Sequence, residues 1–157
     1  MHKEMRRKDR LVTEENTREI VEKSDYGMLC TASLSGEPYA IAVSHVLHEN
    51  SIYFHCAQEG RKIENIKENP QVRISFVKKA DVVQENYTVK YESAVAEGAV
   101  TLVEDEAEKL LALKLICQRY GPDMLENHME YIQPRIKRTA IGRIDIASLT
   151  GKANNRG

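Results

Sequence analysis

A glycine followed by two cations marks the part of this chain best suited to bind an anion. Gly60, Arg61 and Lys62 follow the apolar stretch 53–57 and precede an amphipathic run that ends at Asn69-Pro70. This pattern predicts a strand, a turn and a short helix. Helix-start N–H groups and the helix dipole favour an anion, and Arg and Lys add positive charge. The segment therefore predicts a phosphate site, and hence a nucleotide-like cofactor, although a solvated turn has the same pattern.

Two histidines, His45 and His55, lie in stretches that predict strands. A lone histidine on a strand is more often a structural residue than a functional one. Adjacent strand residues point to opposite faces, so His55 and Cys56 are not expected to form a thiolate–imidazolium pair. The five histidines and three cysteines show no metal-ligand spacing, and we expect no metal site. No residue pattern identifies a catalytic group.

Composition excludes several classes of protein. The 157 residues suit one domain, 41% of them are hydrophobic, and the net charge is −1. A dedicated nucleic-acid binder needs a basic surface, which such a balance does not predict. No apolar run reaches the roughly 20 residues that span a membrane, and no apolar region follows the charged N-terminus as in a secretory signal. Three unpaired cysteines with apolar neighbours predict reduced, buried thiols, so we expect a cytoplasmic protein.

The predicted elements form one α+β domain over residues 1–157. Thr13 is a suitable N-cap for a first helix, and Asp105-Glu106 begins the strongest helix, which ends near Tyr120. Hairpin-like spacing of the first three strands predicts an antiparallel meander, and Gly98 inside a long strand predicts a bulge. Charged residues 1–10 predict an N-terminal arm and residues 153–157 a loose tail. The predicted strands are 26–34, 39–47, 51–56, 72–77, 88–103 and 139–146, with residues 78–87 as a loop or an irregular edge and 123–134 as an irregular helix.

Several short motifs, taken in their order and spacing, resemble one known family over residues 5–153. They are residues 5–10, 27–32 with 36–39, 53–57 with 60–62, Asn69-Pro70, 91–93 with 97–99, and 144–146 with 150–152. The chain resembles the flavin-binding split β-barrel superfamily of pyridoxamine 5′-phosphate oxidase, and within it the 5-nitroimidazole resistance (Nim)-related group. This resemblance implies a mainly antiparallel, six-stranded split β-barrel with flanking helices. It also implies a homodimer that holds FMN in clefts between two barrels.

The resemblance also implies positions for the cofactor. Gly60, Arg61 and Lys62 are expected near the FMN phosphate, in agreement with the local pattern. The backbone of strand 42–45 is expected along the edge of the isoalloxazine ring. In Nim proteins a histidine near the position of His55 lines the active site. The further cofactor-binding candidates are Val43, Ser44, His45, Ala57, Ser93 and, most weakly, Lys152.

These expectations lead to an FMN-dependent oxidoreductase that passes electrons from a reductant such as NAD(P)H to a small-molecule acceptor, as a nitroimidazole reductase does. The main alternative is a non-catalytic flavin- or haem-binding protein of the same fold, for which His45 and His55 are the candidate axial ligands. A third alternative is a vitamin-phosphate oxidase, with Arg143 as a remote candidate for the substrate-binding arginine.

Overall fold

Seven antiparallel strands and four α-helices make up residues 5–154, the part of the chain that the structure, a computed structural model, describes. The strands are β1 (Gly27–Ala32), β2 (Pro38–Val43), β3 (His45–His48), β4 (Ser51–Ala57), β5 (Gln71–Val83), β6 (Thr88–Leu102) and β7 (Thr139–Asn154). The helices are α1 (Glu14–Lys23), α2 (Arg61–Glu68), α3 (Glu106–Tyr120) and α4 (His128–Ile132), with 3-10 helices at Lys8–Arg10, Gln84–Asn86, Pro122–Asn127 and Ile136–Arg138. The α+β class and the antiparallel sheet are confirmed, with seven strands where six were expected.

A single residue, Ser44, joins the two edge strands of the sheet. The strand order is β2-β1-β5-β6-β7-β4-β3, yet β2 ends at Val43 and β3 begins at His45. Because consecutive Cα atoms are only about 3.8 Å apart, the two edges must meet at this corner, and the sheet must curl into a barrel. The prediction of one strand over 39–47 is therefore wrong. The first strands do not form the expected continuous meander. They form two separate hairpins, β1–β2 and β3–β4, which lie at opposite edges of the sheet.

Alternate residues of each strand fill the barrel, as a period of two requires. Phe54 and Phe76 are fully buried there, and α1 adds Ile20 and Val21 to the same cluster. Other members of this inner core are Leu29, Val43, Ile52, Ile66, Val72, Ile74, Ala94, Ala96, Val100 and Ile144. Thr13 caps α1 as predicted, since its Oγ1 accepts from the Asn16 N–H at 3.2 Å.

A second core lies outside the barrel, where α3 covers the outer face of β3, β4 and β7. Leu113 and Ile116 of α3 pack there against Val46, Tyr53 and Ile141. A polar contact fixes the same helix, because the Tyr53 hydroxyl donates to Glu108 Oε1 at 2.9 Å and Arg143 Nη1 donates to that oxygen at 2.7 Å. Successive residues of β4 therefore serve different cores.

Strands β5 and β6 run on beyond the barrel as a two-stranded ribbon. Pairing continues to Val83↔Thr88, whereas β1 pairs with β5 only as far as Phe76. The prediction of a loop or an irregular edge over 78–87 is wrong as a loop for residues 78–83, which extend β5, whereas residues 84–87 form a 3-10 helix and a left-handed turn between the two strands. The strand was missed because both ribbon faces meet solvent and the sequence there has no alternating apolar pattern. A register shift between Val77 and Lys79 starts this departure.

The long strand bends at Gly98 as predicted. The β6–β7 register shifts between Glu97 and Gly98, and a Cβ at Gly98 would collide with the carbonyl of Asp145. β7 is longer than predicted and ends at Asn154, so the expected loose tail is wrong for residues 153 and 154. Residues 1–4 of the predicted arm and 155–157 of the predicted tail lie outside the described residues.

His45 points into the inner core and is completely buried. Its Nε2 lies 2.7 Å from the Val21 carbonyl oxygen, and its ring centroid is 4.6 Å from that of Phe76. A carbonyl oxygen only accepts, so Nε2 carries the proton, while Nδ1 has no partner among the described residues. Burial lowers the pKa of His45 from 6.5 to about 4, so the ring is neutral at pH 7.

This buried imidazole makes stability depend on pH. Between the ordinary pKa of 6.5 and the folded-state value of about 4, the unfolded chain binds one proton more than the folded chain. The free energy of unfolding must therefore fall as pH falls through that window, by about 1.4 kcal/mol per pH unit from this group. We expect His45→Gln, which keeps a donor toward Val21 and does not titrate, to lose this slope in urea unfolding. His48→Gln, at the half-buried end of β3, is the control, and an equal slope in both variants would contradict the assignment.

Candidate functional site

A cavity of about 500 Å³ lies beside the second core, between the sheet and the segment that follows α3. Its inner wall is formed by Ser44, His55 and Thr139, and α3 contributes Leu113 and Ile116. The remaining lining residues are Cys117, Tyr120, Gly121, Met124, Asn127, His128, Tyr131, Ile132 and Arg135. A largely apolar cavity with a few convergent polar groups is the usual form of a small-molecule site.

His55 is one of the sequence-predicted residues that line the cavity. It stands on the outer face of β4, opposite Ile141 of β7, and is open to the cavity. Desolvation by the surrounding wall lowers the pKa of His55 below its usual value of 6.5. The adjacent Cys56 points the other way, toward the inner core, and burial raises the pKa of its thiol. The predicted separation of the two side chains is confirmed.

The Gly60 turn follows directly from this strand. Gly60 has φ +113°, and a Cβ placed on it would meet no atom within 4 Å, so the backbone is open on that side. No side chain caps α2, and the Arg61 and Lys62 N–H groups have no backbone partner within residues 5–154. Four residues lie between His55 and Gly60, so their Cα atoms are at most roughly 17 Å apart. The predicted anion turn therefore begins within that distance of the cavity wall at His55.

The two cations of the turn have different surroundings. Arg61 is exposed, donates to Glu37 Oε1 at 2.6 Å and lies 4.9 Å from the centroid of the Tyr39 ring. This places its guanidinium against the β1–β2 hairpin. Lys62 is half-buried, and its charge acts to lower the pKa of Cys56, although burial of that thiol has the larger opposite effect. Both side chains are thus held near the start of α2.

Ser93 and Lys152 lie together elsewhere, on the outer side of the β6–β7 pair. Ser93 pairs in register with Lys152, and the Lys152 ammonium lies 5.5 Å from the centroid of the Tyr91 ring. Arg10 Nη1 donates to the Tyr91 hydroxyl at 3.2 Å. Burial would raise the pKa of Tyr91, but its hydrogen bonds with Lys152 and Arg10 outweigh that and lower it. Neither Ser93 nor Lys152 lines the cavity.

The comparisons with known proteins agree with this architecture. A family model described as pyridoxamine 5′-phosphate oxidase matches residues 13–153. The chain belongs to this family. No curated protein matches the chain in sequence.

Several solved structures have a similar fold over most of this chain. A protein from Bacteroides thetaiotaomicron VPI-5482, provisionally assigned to 5-nitroimidazole antibiotic resistance, shares 26% identity at TM-score 0.80, over 91% of this chain and 86% of its own. The flavocytochrome Anf3 from Azotobacter vinelandii shares 17% identity at TM-score 0.78, over 98% and 73%. An FAD- and haem-binding protein from Mycobacterium smegmatis shares 13% identity at TM-score 0.75, over 92% and 72%. The last two likenesses show the fold alone.

The side chain of the cofactor-binding candidate His45 does not line the cavity. Its ring is buried in the inner core, and its backbone N–H donates to the Tyr120 hydroxyl at 3.0 Å. Val43 is also buried in the barrel and pairs with Gly27. Ser44 lines the cavity, and Ala57 lies at the end of β4, opposite Thr139. Of these residues, Ser44 and His55 line the cavity, and Ala57 and the Gly60 turn follow His55 along the chain.

Arg143 does not have the free guanidinium that a substrate-binding arginine needs. It is paired with Glu108 at 2.7 Å and with Asp145 at 2.9 Å, and these hydrogen bonds raise its pKa. The vitamin-phosphate oxidase alternative therefore loses its candidate residue. No group of three or more potential metal ligands occurs within residues 5–154, and no helix there is long and apolar enough to cross a membrane.

Sequence reasoning missed the residues that form the outer cavity wall. The sequence identifies Tyr120 only as a helix end, whereas its hydroxyl accepts from the backbone N–H of His45 and donates to the Asp25 carbonyl at 2.9 Å. Tyr131 and Arg135 were placed only in or next to an irregular helix. Their spacing of four, with an aromatic residue followed by a cation, was the available signal.

All three cysteines were expected to be buried, but Cys30 is exposed and the other two are half-buried.

The environment of His55 can be measured directly. We expect its imidazole to titrate below pH 6.5 in the folded protein, because the apolar wall penalises the charged ring. Proton–nitrogen NMR spectra over a pH series report the midpoint, and the signal missing from His55→Asn assigns it. In urea the same ring should return to about 6.5. A folded-state midpoint at or above the unfolded value would show that the cavity does not desolvate His55.

Proposed function

We propose that this protein is an FMN-binding oxidoreductase whose cofactor phosphate is held at the start of α2 and whose substrate enters the cavity at His55. The observation that carries the proposal is the short path from His55 to Gly60, which joins an apolar cavity to an uncapped helix start with two cations. The family and the flavin-binding structures of similar fold support a flavin.

The residues of the α2 start fit a phosphate. The open side of Gly60 lets the backbone approach an anion, and the uncapped N–H groups of Arg61 and Lys62 supply donors. The Arg61 guanidinium has further N–H groups beyond the one that it gives to Glu37. A phosphate here would share Arg61 with that carboxylate. Charge-assisted hydrogen bonds of this kind contribute roughly 1.5–3 kcal/mol each.

A bound flavin supplies the redox chemistry of such an oxidoreductase. The chain's own residues bind and orient the reactants and exclude water. Ser44 presents a hydroxyl at the barrel corner, and α3 lines the cavity with the apolar residues Leu113 and Ile116. His55 is neutral at pH 7, so one ring nitrogen can donate a hydrogen bond and the other can accept one. A neutral imidazole at this position can hold a substrate oxygen or exchange a proton with it. A reductant such as NAD(P)H and a small acceptor are the proposed reactants.

Haem binding in a non-catalytic protein is the competing function, because similar folds include a flavocytochrome and an FAD- and haem-binding protein. His45 cannot serve as its axial ligand, since its ring is completely buried and its Nε2 donates to Val21. His55 lines the cavity and remains available, whereas Nε2 of His128, which also lines it, lies 3.3 Å from the Gly121 carbonyl oxygen. The absorbance of native, unheated protein separates the cofactors, because flavin bands support FMN and a Soret band supports haem.

We also propose a homodimer, on the outer face of β1, β2, β5 and β6. Met28 is 36% and Val77 54% exposed there, and the register places small or apolar residues between them. The neighbours on this face are Cys30, Ala40, Ala42, Ser75, Ser93 and Val95, and the Arg73–Glu97 ion pair lies beside Cys30 at its end. An apolar sheet face that one chain leaves in water is typical of an interface, and a two-fold axis covers it symmetrically. The protein is proposed to act in the cytoplasm.

The phosphate assignment predicts a selective loss of FMN affinity. We expect Arg61→Ala and Lys62→Ala each to raise the FMN dissociation constant about tenfold to a hundredfold, and the double variant to raise it further. Quenching of flavin fluorescence on binding measures the dissociation constants of both FMN and riboflavin. Riboflavin lacks the phosphate, so its affinity should be the same for the variants and the wild type.

Lys67→Ala is the matched control, because it removes one cation from the last turn of the same helix. It should leave FMN affinity within about twofold of wild type if the site is local. Unchanged FMN affinity in the double variant would refute the phosphate site, and the family alone would then support the cofactor.

The dimer predicts a defined response to charge on the sheet face. We expect wild-type protein to sediment as a dimer at micromolar concentration, and Met28→Lys to shift it toward monomer because a buried, unpaired ammonium is costly. Leu34→Lys is the control, since Leu34 is 74% exposed in the β1–β2 turn. A wild-type monomer with flavin still bound would refute the proposal.

A further inference from the structure

The cavity lining carries one permanent charge. Arg135 is the only Arg, Lys, Asp or Glu among the described side chains that line it. His55 is neutral at pH 7, and burial raises the pKa of the Cys117 thiol, so that thiol is neutral too. The apolar residues Leu113, Ile116 and Ile132 make up much of the rest. The cavity is thus an apolar chamber with a single cation at its wall.

Arg135 is held in place by its own segment. Its Nη1 donates to the Tyr131 carbonyl at 2.8 Å, and its guanidinium lies 4.0 Å from the centroid of the Tyr131 ring. Its backbone is fixed by Thr139, whose hydroxyl donates to the Arg135 carbonyl at 2.9 Å. These contacts leave the other N–H groups of the guanidinium without an acceptor among the described residues. The cation is therefore positioned but not neutralised.

We propose that the cavity takes an apolar substrate bearing a single negative charge, such as an aromatic carboxylate, with Arg135 as its counter-ion. A neutral ligand that filled the cavity would strip water from the free guanidinium donors and give nothing in return. A second negative charge would enter an apolar chamber without a partner, at a high desolvation cost. A monoanion with an apolar body satisfies both constraints. The inference rests on the proposed function only in naming this ligand as the substrate.

A matched pair of probes tests the charge requirement. Anilinonaphthalene sulfonate is an aromatic monoanion, and N-phenylnaphthylamine is its neutral counterpart, and both report apolar binding by fluorescence. We expect Arg135→Gln to weaken sulfonate binding about tenfold while changing binding of the neutral amine less than twofold. Arg138→Gln is the control, because Arg138 is an exposed arginine three residues away that does not line the cavity. It should bind both probes as the wild type does.

Two further variants and one titration complete the test. Cys117→Phe places a larger side chain in the cavity and should weaken the binding of both probes. That result would show that both probes bind in the cavity. Arg135→Lys should recover part of the sulfonate affinity. FMN affinity, titrated in the same variants, should not change with Arg135→Gln, because the phosphate site lies at α2.

The outcomes separate this inference from the proposed function. Equal sulfonate affinity in Arg135→Gln and wild type, or equal loss of both probes, would overturn the inference. Parallel loss of sulfonate and FMN affinity would place Arg135 in the flavin site and would also overturn it. A selective loss of sulfonate in a protein that binds no FMN would refute the proposed function and support the ligand class inferred for the cavity.

Discussion

The one-residue link at Ser44 is the constraint on which the rest of this structure depends. It ties the last residue of one sheet edge to the first residue of the other, so seven strands must curl until their edges meet. The residues on either side of the link, Val43 and His45, then turn into the barrel, and Ser44 is left at its outer corner. Ser44 thus both closes the barrel and lines the cavity.

Strand β4 carries this constraint to the site. Its side chains alternate, so Phe54 and Cys56 face the inner core while Tyr53 and His55 face α3. Tyr53 is engaged by Glu108, and His55, two residues further on, is left open to the cavity. The strand ends three residues before Gly60, so the geometry of the barrel also sets where the anion turn can lie. Strand β4 therefore contributes to both cores and to the cavity, and its end sets the position of the Gly60 turn.

Local chemistry made part of this predictable. Three residue types predict local backbone features that the structure contains. Thr13 caps α1, Gly60 forms a turn with positive φ, and Gly98 lies at a bulge in β6. Alternation identified the strands inside the barrel because each has one buried face. It failed for residues 78–83, which are exposed on both faces, and at Ser44, because a change of strand partner leaves no local signal. Arg135 was missed since its role depends on which side chains surround it in space.

The outer wall of the cavity differs from the inner one in how firmly it is held. Between residues 122 and 138, Ile132 is the only side chain among those described that is fully buried, whereas the inner wall belongs to a continuous sheet. Segments with so few buried contacts open at a small fraction of the global unfolding free energy. New ligand preferences can therefore arise by substitution in this wall without loss of the barrel, which makes it the part of the molecule where selection can act most freely.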